Sequence, residues 1–303
     1  MQLKFHTLDV FTEKRFGGNP LAVVLGADEL TERQMQLVAR EFALSETVFV
    51  CKPVNPSHTA ALRIFTPARE VPFAGHPTIG AAVVLAQLRL HEPNGEDDQL
   101  IVFEQNIGLV RVGVRIRSEG QTFAEFDAPK LPTQAGALAP IEQLAAGIGL
   151  IPNEIGFENH RPTCFAAGNA FAFIPVVSRA VIARAFVHPE HWAGGYDEQG
   201  IVGAYLYTRD CLLKSSAFHA RMFAPGMGVD EDPATGSAAI CLAGVVHQFD
   251  DLPDGTHRDD VEQGYEIGRE SKIVITSVVE NGVLDTVRIG GAAVPVSEGS
   301  ITV

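Results

Sequence analysis

An internal sequence repeat constrains the fold of this chain more than any other feature. The segment from Arg63 to Ala86, RIFTPAREVPFAGHPTIGAAVVLA, recurs in altered form from Arg221 to Gly244, RMFAPGMGVDEDPATGSAAICLAG. The offset in residue number between the two copies is nearly constant and changes by one residue in the turn between strand and helix. The matched residues are, in order, Arg63, Phe65, Pro67, Thr78, Ala81 and Ala82 in the first copy and Arg221, Phe223, Pro225, Thr235, Ala238 and Ala239 in the second. Gly18-Asn19 and Gly168-Asn169 also each precede an apolar run. The repeat predicts two structurally similar halves, each containing a strand, a turn and a helix.

The helix of each repeat is apolar on every side. We predict these helices over Thr78 to Leu88 and Thr235 to Val246, and a helix of this kind in a globular protein must be surrounded by other structure. The strand-like segments around them are short, which favours a sheet curled around each helix. The predicted fold is α+β, with two pseudo-symmetric domains, each a curled β-sheet or barrel around a central buried helix.

The length of 303 residues also fits two domains. A segment rich in Pro and Ala, residues 128–140, is the predicted crossover between them. The predicted domains are residues 1–128, joined by a returning strand at about 288–303, and residues 129–287. We expect the last strands at 272–279, 283–289 and 293–296, and a solvated acidic loop over 250–260.

Charge and composition exclude several classes of protein. The formal net charge of −14, without a cluster of Lys or Arg, disfavours binding to nucleic acids or anionic membranes. The four cysteines form no CxxC pattern, so neither a disulfide scaffold nor a zinc ribbon is indicated. The N-terminus does not resemble a signal peptide, and no apolar run reaches the length of a membrane helix. We predict a cytoplasmic protein.

Glu46 follows a helix with clear end signals. Thr31 is the predicted N-cap, Gln34 is its capping-box partner, and the helix ends near Leu44, before a β-prone run. Glu46 therefore lies at a joint between helix and strand. Desolvation at this joint would raise the pKa of its carboxyl group, as a general acid or base requires, although most Glu residues are simply solvated.

The starts of the two buried helices favour an anion. Each turn is rich in small residues and Pro, and the first N–H groups of a helix lack intrahelical acceptors and lie at the positive end of its dipole. We expect the two helix starts to face one cleft and to bind a small carboxylate. The predicted substrate-binding residues are Asn19, Ser45, Gly75, Pro77, Thr78, Thr235 and Gly236.

Three polar residues in these turns have functional and structural interpretations. His76 can donate a hydrogen bond or move a proton, or it can be a packed or capping histidine. Asp232 can bind a ligand and also cap the helix, because the two roles are compatible. Ser237 lies outside a G-x-S-x-G motif, so we interpret it as a hydrogen-bonding residue and not as a hydrolase nucleophile.

Metal and nucleotide sites are disfavoured. His188 and His191 lack a third ligand at a recognisable spacing, so no metal is predicted. The sequence contains neither a Walker loop nor G-x-G-x-x-G, and no cofactor is predicted.

The sequence resembles the PhzF family of phenazine-biosynthesis-like isomerases, which is related in fold to diaminopimelate epimerase. The resemblance extends along the whole chain and is carried by the motifs GNPLAVVL, EFALSETVFV, RIFTPAREVPFAGHPTIGAA, RMFAPGMGVDEDPATGSA, QGYEIGRES and GGAAVPVSEG. It implies two similar domains with an active site in the cleft between them, no cofactor or metal, and often a homodimer.

The resemblance also implies roles for the catalytic residues Glu46, His76, Asp232 and Ser237. The family's acid/base Glu falls on Glu46, its GHPT histidine on His76, and its DPATGS motif on Asp232 and Ser237. In the family prototype, Glu moves a proton between two carbons of a dihydro-hydroxyanthranilate, while its neighbours bind the substrate. Ala43 departs from the pattern, because Asn is usual at this position.

Two alternatives remain at this stage. The related epimerases and racemases have a Cys at each helix start, whereas none of the four cysteines lies in either turn and Cys241 lies inside the second helix. Racemisation by two thiols is therefore disfavoured. A non-catalytic protein that binds a small carboxylate or a partner in the same cleft is the other alternative.

Overall fold

The computed structural model describes residues 1–90, 96–117, 122–197 and 200–303. The strands, in chain order, are β1 (Gln2–Val10), β2 (Asn19–Leu25), β3 (Glu46–Cys51), β4 (Ala60–Phe65), β5 (Glu70–Val71), β6 (Asp97–Gln105), β7 (Gly108–Ile116), β8 (Thr122–Asp127), β9 (Thr133–Gln134), β10 (Thr163–Ala166), β11 (Ala170–Pro175), β12 (Gly203–Thr208), β13 (Phe218–Ala224), β14 (Val229–Asp232), β15 (Gly255–Gln263), β16 (Ser271–Glu280) and β17 (Val283–Thr302). The α-helices are α1 (Glu32–Phe42), α2 (Gly75–Leu88), α3 (Ile141–Gly147), α4 (Arg179–Arg184), α5 (Pro189–Gly195) and α6 (Gly236–Phe249). None of these described helices is long and apolar enough to cross a membrane.

The chain divides into two compact units. The first contains Met1–Pro129, Arg269–Lys272 and Ile289–Val303, and the second contains Lys130–Gly268 and Ile273–Arg288. Strand β17 therefore begins in the second unit and ends in the first.

The first unit is a closed barrel of eight strands. Hydrogen bonds link β1 to β2, β2 to β3, β3 to β4, β4 to β6, β6 to β7 and β7 to β8. The C-terminal part of β17 pairs with both β8 and β1 and completes the circle. Closure leaves the barrel without an unpaired edge strand.

Helix α2 lies inside this barrel and contacts β1, β2, β3, β6, β7 and β8. Every residue from Gly75 to Val84 is buried, as expected for a helix that is apolar on all sides. The helix begins at Gly75, three residues earlier than predicted, with Ala74 as N-cap and Pro77 in its first turn. Helix α1 packs on β3 and β4, and its predicted capping box between Thr31 and Gln34 is confirmed.

The second unit is a curled sheet with α6 at its centre. Eleven consecutive positions of α6 include only one partly exposed residue, Ser237, and the helix contacts β9, β10 and β11. Helices α3, α4 and α5 cover a separate apolar cluster that includes Leu144, Ile182 and Trp192. The fold class predicted from the sequence is confirmed: the protein is α+β, with a barrel or curled sheet around one buried helix in each unit.

The two units share one order of strand pairings. In the first unit β1–β2 is antiparallel, β2–β3 parallel, β3–β4 antiparallel, β4–β5 antiparallel and β4–β6 parallel. In the second unit the same sequence of directions joins β10–β11, β11–β12, β12–β13, β13–β14 and β13–β15. The structural repeat is thus longer than the repeat visible in the sequence.

Strand register explains the one-residue slip within the repeat. Ile64 pairs with Val71, and Met222, the counterpart of Ile64, pairs with Asp232. Val71 is therefore the structural counterpart of Asp232. A short 3₁₀ helix, Pro225–Met227, lengthens the turn before β14, whereas fewer residues separate Asp232 from Thr235 than separate Val71 from the matched Thr78. The slip is the net result of these two changes.

Two predictions about the C-terminal part of the chain are wrong. The predicted acidic loop over 250–260 becomes a strand at Gly255, because β-pairing uses backbone groups and tolerates polar side chains that face solvent. The strands predicted at 283–289 and 293–296 are one continuous strand, β17. Gly290 and Gly291 do not interrupt it: a Cβ on Gly290 would lie 2.7 Å from Phe123 Cζ, so the glycine permits a close approach within the sheet.

Candidate active site

Glu46 is the first residue of β3, directly after the turn that ends α1. Ala43 terminates α1 in the left-handed region, with φ 52° and ψ 33°. Asn tolerates this region better than Ala. Parallel pairing of Leu21 with Glu46 then fixes the start of the strand against β2. Ser45, also a predicted site residue, lies in the turn and is partly exposed.

The structure brings Glu46 and His76 together in the first unit. Glu46 Oε2 lies 3.6 Å from His76 Nδ1, and the two side chains are 16% and 3% exposed. The Glu46 side chain is therefore partly exposed, although its Oε2 is buried, and the imidazole is enclosed. His76 reaches this position because α2 begins inside the barrel, with His76 in its first turn.

Burial makes His76 a neutral group. Desolvation lowers the pKa of His76 to about 3, so its imidazole is uncharged at pH 7. The 3.6 Å contact with Glu46 thus joins a carboxyl group to a neutral ring and is not an ion pair. Among the described residues His76 Nε2 has no hydrogen-bond partner, although the atom is buried. A polar atom in this state is suited to a ligand that enters the site.

Three other predicted site residues of the first unit, Gly75, Pro77 and Thr78, lie at the same helix start, and Asn19 lies in β2. Asn19 is fully buried at the first position of β2, and Gly75 and Pro77 are buried in the first turn of α2. The Thr78 hydroxyl donates to the Ala74 carbonyl oxygen over 2.8 Å and accepts from Gln105 Nε2 over 2.9 Å. Thr78 therefore stabilises the helix start with its side chain.

In the second unit Asp232 lies at the end of β14, and α6 begins four residues later at Gly236. The Thr235 hydroxyl donates to Asp232 Oδ2 over 2.6 Å, so this carboxylate oxygen accepts from a side chain at the helix start. Gly236 is buried, whereas Ser237 and Asp232 are partly exposed.

Sequence reasoning missed Gln263, the last residue of β15. This side chain is fully buried and hydrogen-bonds to Asp232, Thr235 and Tyr205. The sequence contained a signal for Gln263, because the pair Glu104-Gln105 recurs as Glu262-Gln263 at the same offset that separates Arg63 from Arg221.

The predicted site residues fall into two sets. Glu46, His76, Asn19, Ser45, Gly75, Pro77 and Thr78 belong to the first unit, and Asp232, Thr235, Gly236 and Ser237 belong to the second. Glu46 contacts His76 at the start of α2, and the residues of the second set lie at or just before the start of α6.

The cysteine thiols are held in their protonated form. Burial raises the pKa of Cys51 to about 11 and that of Cys211 to about 12, and it also raises the pKa values of Cys164 and Cys241. Cys241 lies inside α6, away from the helix start. The raised pKa values of the thiols and the position of Cys241 both disfavour a thiolate base or nucleophile.

Two other features lie outside these sets. Glu190 is a third candidate metal ligand beside His188 and His191. The ligand atoms of the three residues lie within 4.8 Å of one another, and Glu190 and His191 are exposed.

A cavity of about 680 Å³ in the second unit is bordered by the Arg221–Glu231 pair and by aromatic side chains. No predicted site residue lines this cavity.

A barrel or curled sheet around a buried helix in each unit defines the epimerase-like class of isomerases. The phenazine biosynthesis-like protein family, PhzC-PhzF, matches residues 8–299, and the chain belongs to this family. It is 45% identical over 305 aligned residues to an uncharacterized isomerase of Mesorhizobium japonicum, covering 99% of each chain. It is 31% identical to the trans-2,3-dihydro-3-hydroxyanthranilate isomerase of Pseudomonas chlororaphis, covering 97% of each. The crystal structure of the Bacillus anthracis phenazine biosynthesis protein of the PhzF family has a TM-score of 0.87 at 26% identity, with full coverage of both chains. The protein is thus an isomerase, and its resemblance to this family is confirmed.

Proposed function

We propose that this isomerase moves a proton between two carbons of a small cyclic amino or hydroxy carboxylic acid, with Glu46 as the proton carrier and without a cofactor. The observation that carries the proposal is the contact between Glu46 and His76. The carboxyl group of a partly exposed glutamate side chain lies 3.6 Å from a buried neutral imidazole whose second nitrogen has no partner among the described residues. The relatives named as trans-2,3-dihydro-3-hydroxyanthranilate isomerases indicate the type of substrate.

One carboxylate is chemically sufficient for this reaction. Ionised Glu46 removes a proton from one carbon of the substrate, and the electron pair of that C–H bond shifts the double bond. Protonated Glu46 then delivers the same proton to the carbon at the far end of the shifted π system. The base is regenerated, and the substrate and product have the same atoms.

The remaining residues bind and orient the substrate in this proposal. Neutral His76 donates or accepts a hydrogen bond without adding a charge next to Glu46. Asp232 and Ser237 contact polar groups of the substrate, and the helix-start N–H groups bind its carboxylate. Asn19, Ser45, Gly75, Pro77, Thr78, Thr235 and Gly236 form the surrounding binding surface. The proposal requires residues of both sets to contact the same substrate.

The direct test uses trans-2,3-dihydro-3-hydroxyanthranilate in D₂O. The wild-type protein should convert it, with deuterium entering the product whenever protonated Glu46 exchanges with solvent. Glu46→Gln should reduce kcat by about 10⁴-fold or more, at the upper end of a general acid–base contribution, with little change in KM. Glu41→Gln, at an exposed glutamate in α1, is the matched control and should retain full activity.

Each result has a distinct meaning. Turnover by Glu46→Gln at the wild-type rate would refute the assignment of the proton carrier. Binding without turnover or deuterium exchange in the wild-type protein would favour the non-catalytic alternative.

The predicted homodimer and cytoplasmic location belong to the same proposal. Light scattering of the purified protein should give twice the monomer mass of 32.5 kDa. Cell fractionation should place the protein in the soluble fraction, without nucleic acid or membrane bound to it.

A further inference from the structure

We propose that Gln263 is a positioning residue that orients the carboxylate of Asp232 through the hydroxyl of Thr235. This inference rests on the proposed function, because it concerns how Asp232 is presented to the substrate. It begins from an amide side chain with 0% exposure.

All hydrogen-bonding groups of the Gln263 amide are used. Its Oε1 accepts from the Thr235 N–H over 3.2 Å and from the Tyr205 hydroxyl over 3.2 Å. Its Nε2 donates to the Asp232 carbonyl oxygen over 2.7 Å and to Thr235 Oγ1 over 3.1 Å. Two acceptor and two donor positions are the full capacity of a primary amide. The side chain is therefore fixed in one orientation.

The direction of each bond follows from the backbone. The Thr235 N–H can only donate and the Asp232 carbonyl can only accept, so the Gln263 amide cannot be turned over without losing both bonds. Gln263 Nε2 consequently donates to the Thr235 hydroxyl oxygen. The hydroxyl proton is then directed to Asp232 Oδ2, at 2.6 Å, the length of a charge-assisted O–H···O⁻ bond.

The strand that carries Gln263 is held firmly. Gln263 pairs with Ala220 at the end of the parallel β13–β15 ladder. Its neighbour Glu262 accepts from the N–H groups of Leu212 and Leu213 and from His219 Nδ1. The amide is thus presented from a fixed backbone position.

The first unit contains the same Gln–Thr pair without a carboxylate. Gln105 Nε2 donates to Thr78 Oγ1 over 2.9 Å, but the Thr78 hydroxyl then donates to the Ala74 carbonyl. Val71 occupies the position that corresponds to Asp232. The Gln–Thr pair therefore stabilises the helix start in both units, and only in the second does it extend to an ionisable group.

The test compares Thr235→Val, Thr235→Ser and Thr208→Val. Thr235→Val removes the hydroxyl and keeps the size of the side chain, and Thr235→Ser retains the hydroxyl. Thr208→Val alters another buried threonine of the second unit, one that accepts from the Asp210 N–H and not from this network. Carbon-13 NMR of labelled Asp side chains follows the titration of Asp232, and kinetics are measured on trans-2,3-dihydro-3-hydroxyanthranilate.

We expect Thr235→Val to move the titration midpoint of Asp232 upward by about one pH unit, because its ionised form loses a hydrogen bond. We also expect kcat to fall by about 10²-fold through misorientation. Thr235→Ser should restore both quantities, and Thr208→Val should change neither. Gln263→Met should in addition increase amide hydrogen exchange at Thr235 by tenfold or more, while the centre of α6 remains protected.

The outcomes separate the two proposals. An unchanged Asp232 titration in Thr235→Val would overturn the inference about Gln263 and Thr235, whatever the activity. A shifted titration with unchanged kcat would support the hydrogen-bond chain but remove Asp232 from the catalytic site of the proposed function. If the wild-type protein does not convert this substrate, the NMR and exchange measurements still decide the inference.

Discussion

Gly203 lies in the second unit at the position that Glu46 occupies in the first. The parallel pairing of β2 with β3 joins Leu21 to Glu46, and that of β11 with β12 joins Phe171 to Gly203. Leu21 and Phe171 are themselves equivalent, since each is separated from a preceding Gly-Asn pair by a single residue. The duplicated fold therefore has one carboxylate at this position instead of two. This is consistent with a single group that both removes and returns a proton.

Gly203 cannot be replaced without strain. A Cβ at this residue would lie 2.5 Å from the Phe223 carbonyl oxygen and would also collide with Met222 Cε. We expect Gly203→Ala to lower the free energy of unfolding by about 1–3 kcal/mol, the usual cost of overpacking. Gly194→Ala in α5 is the control, because a Cβ there meets nothing within 4 Å. Urea denaturation measures both, and equal stability of the two variants would contradict the predicted steric clash at Gly203.

His76 should make the protein sensitive to acid. Burial lowers its pKa from 6.5 to about 3, so between these values the unfolded chain binds a proton that the folded chain does not. The contribution of neutral His76 to the free energy of unfolding is complete above pH 6.5 and is lost as the pH falls toward 3. We expect the difference in unfolding free energy between wild type and His76→Gln to shrink over this range. Denaturation at matched pH values tests it, and a constant difference would contradict a neutral His76.

His219 should have the opposite effect at alkaline pH. Burial alone would lower its pKa, but its hydrogen bonds to Glu262 and Glu266 outweigh burial and raise the pKa to about 9. The contribution of His219 to the free energy of unfolding is complete below pH 6.5 and is lost as the pH rises to about 9. The stability advantage of wild type over His219→Gln should therefore decline between these values. A decline on the acid side of pH 6.5 alone would refute the charged state assigned to His219 at pH 7.

The two repeated Arg–Glu pairs should differ in their contribution to stability. Arg63 binds Glu70, and Arg221 binds Glu231, each through Nε and one terminal nitrogen. The Arg63 side chain is 30% exposed, whereas that of Arg221 is 8% exposed. Glu231→Gln should cost about 3–5 kcal/mol, because a buried guanidinium loses its counter-ion. Glu70→Gln should cost only about 1 kcal/mol, because water reaches the guanidinium. Equal losses in thermal or urea denaturation would contradict this difference.

Alkylation of the cysteines separates the proposed mechanism from thiol-based racemisation. The pKa of about 11 for Cys51 implies a thiolate fraction roughly 10²-fold below that of a free thiol near pH 7. We expect iodoacetamide at pH 7 to react slowly and to leave the isomerase activity intact. Mass spectrometry of the labelled sites provides the measure of reaction. Rapid loss of activity that follows modification of one cysteine would favour a thiol mechanism.

The sequence predicted the elements whose signals are local. The two buried helices are apolar in every direction, and the Thr31–Gln34 capping box is contained in four residues. Both features depend on neighbours in the chain, and both are found in the structure. The contact of Glu46 with His76 is different, because its partners lie in separate elements and were suggested only through the family resemblance.

Other features depend on distant contacts and have no local signal. Gly290 and Gly291 look like a break between strands, yet close neighbours on the sheet explain them. Gln263 looks like any polar residue at a strand end, because its partners belong to β12 and to the turn before α6. The equivalence of Gly203 and Glu46 is not visible in the sequence for another reason: the two residues occupy equivalent strand positions, but a glycine and a glutamate have no side-chain group in common.

The path of β17 determines the order in which the units can be completed during synthesis. The first barrel needs residues 289–303 between β8 and β1, and these are made after the rest of both units. All residues of the second unit, 130–268 and 273–288, have been made by then. The first unit can therefore close only after the second has been synthesised, and until then β1 and β8 remain open edges on which a nascent chain can aggregate.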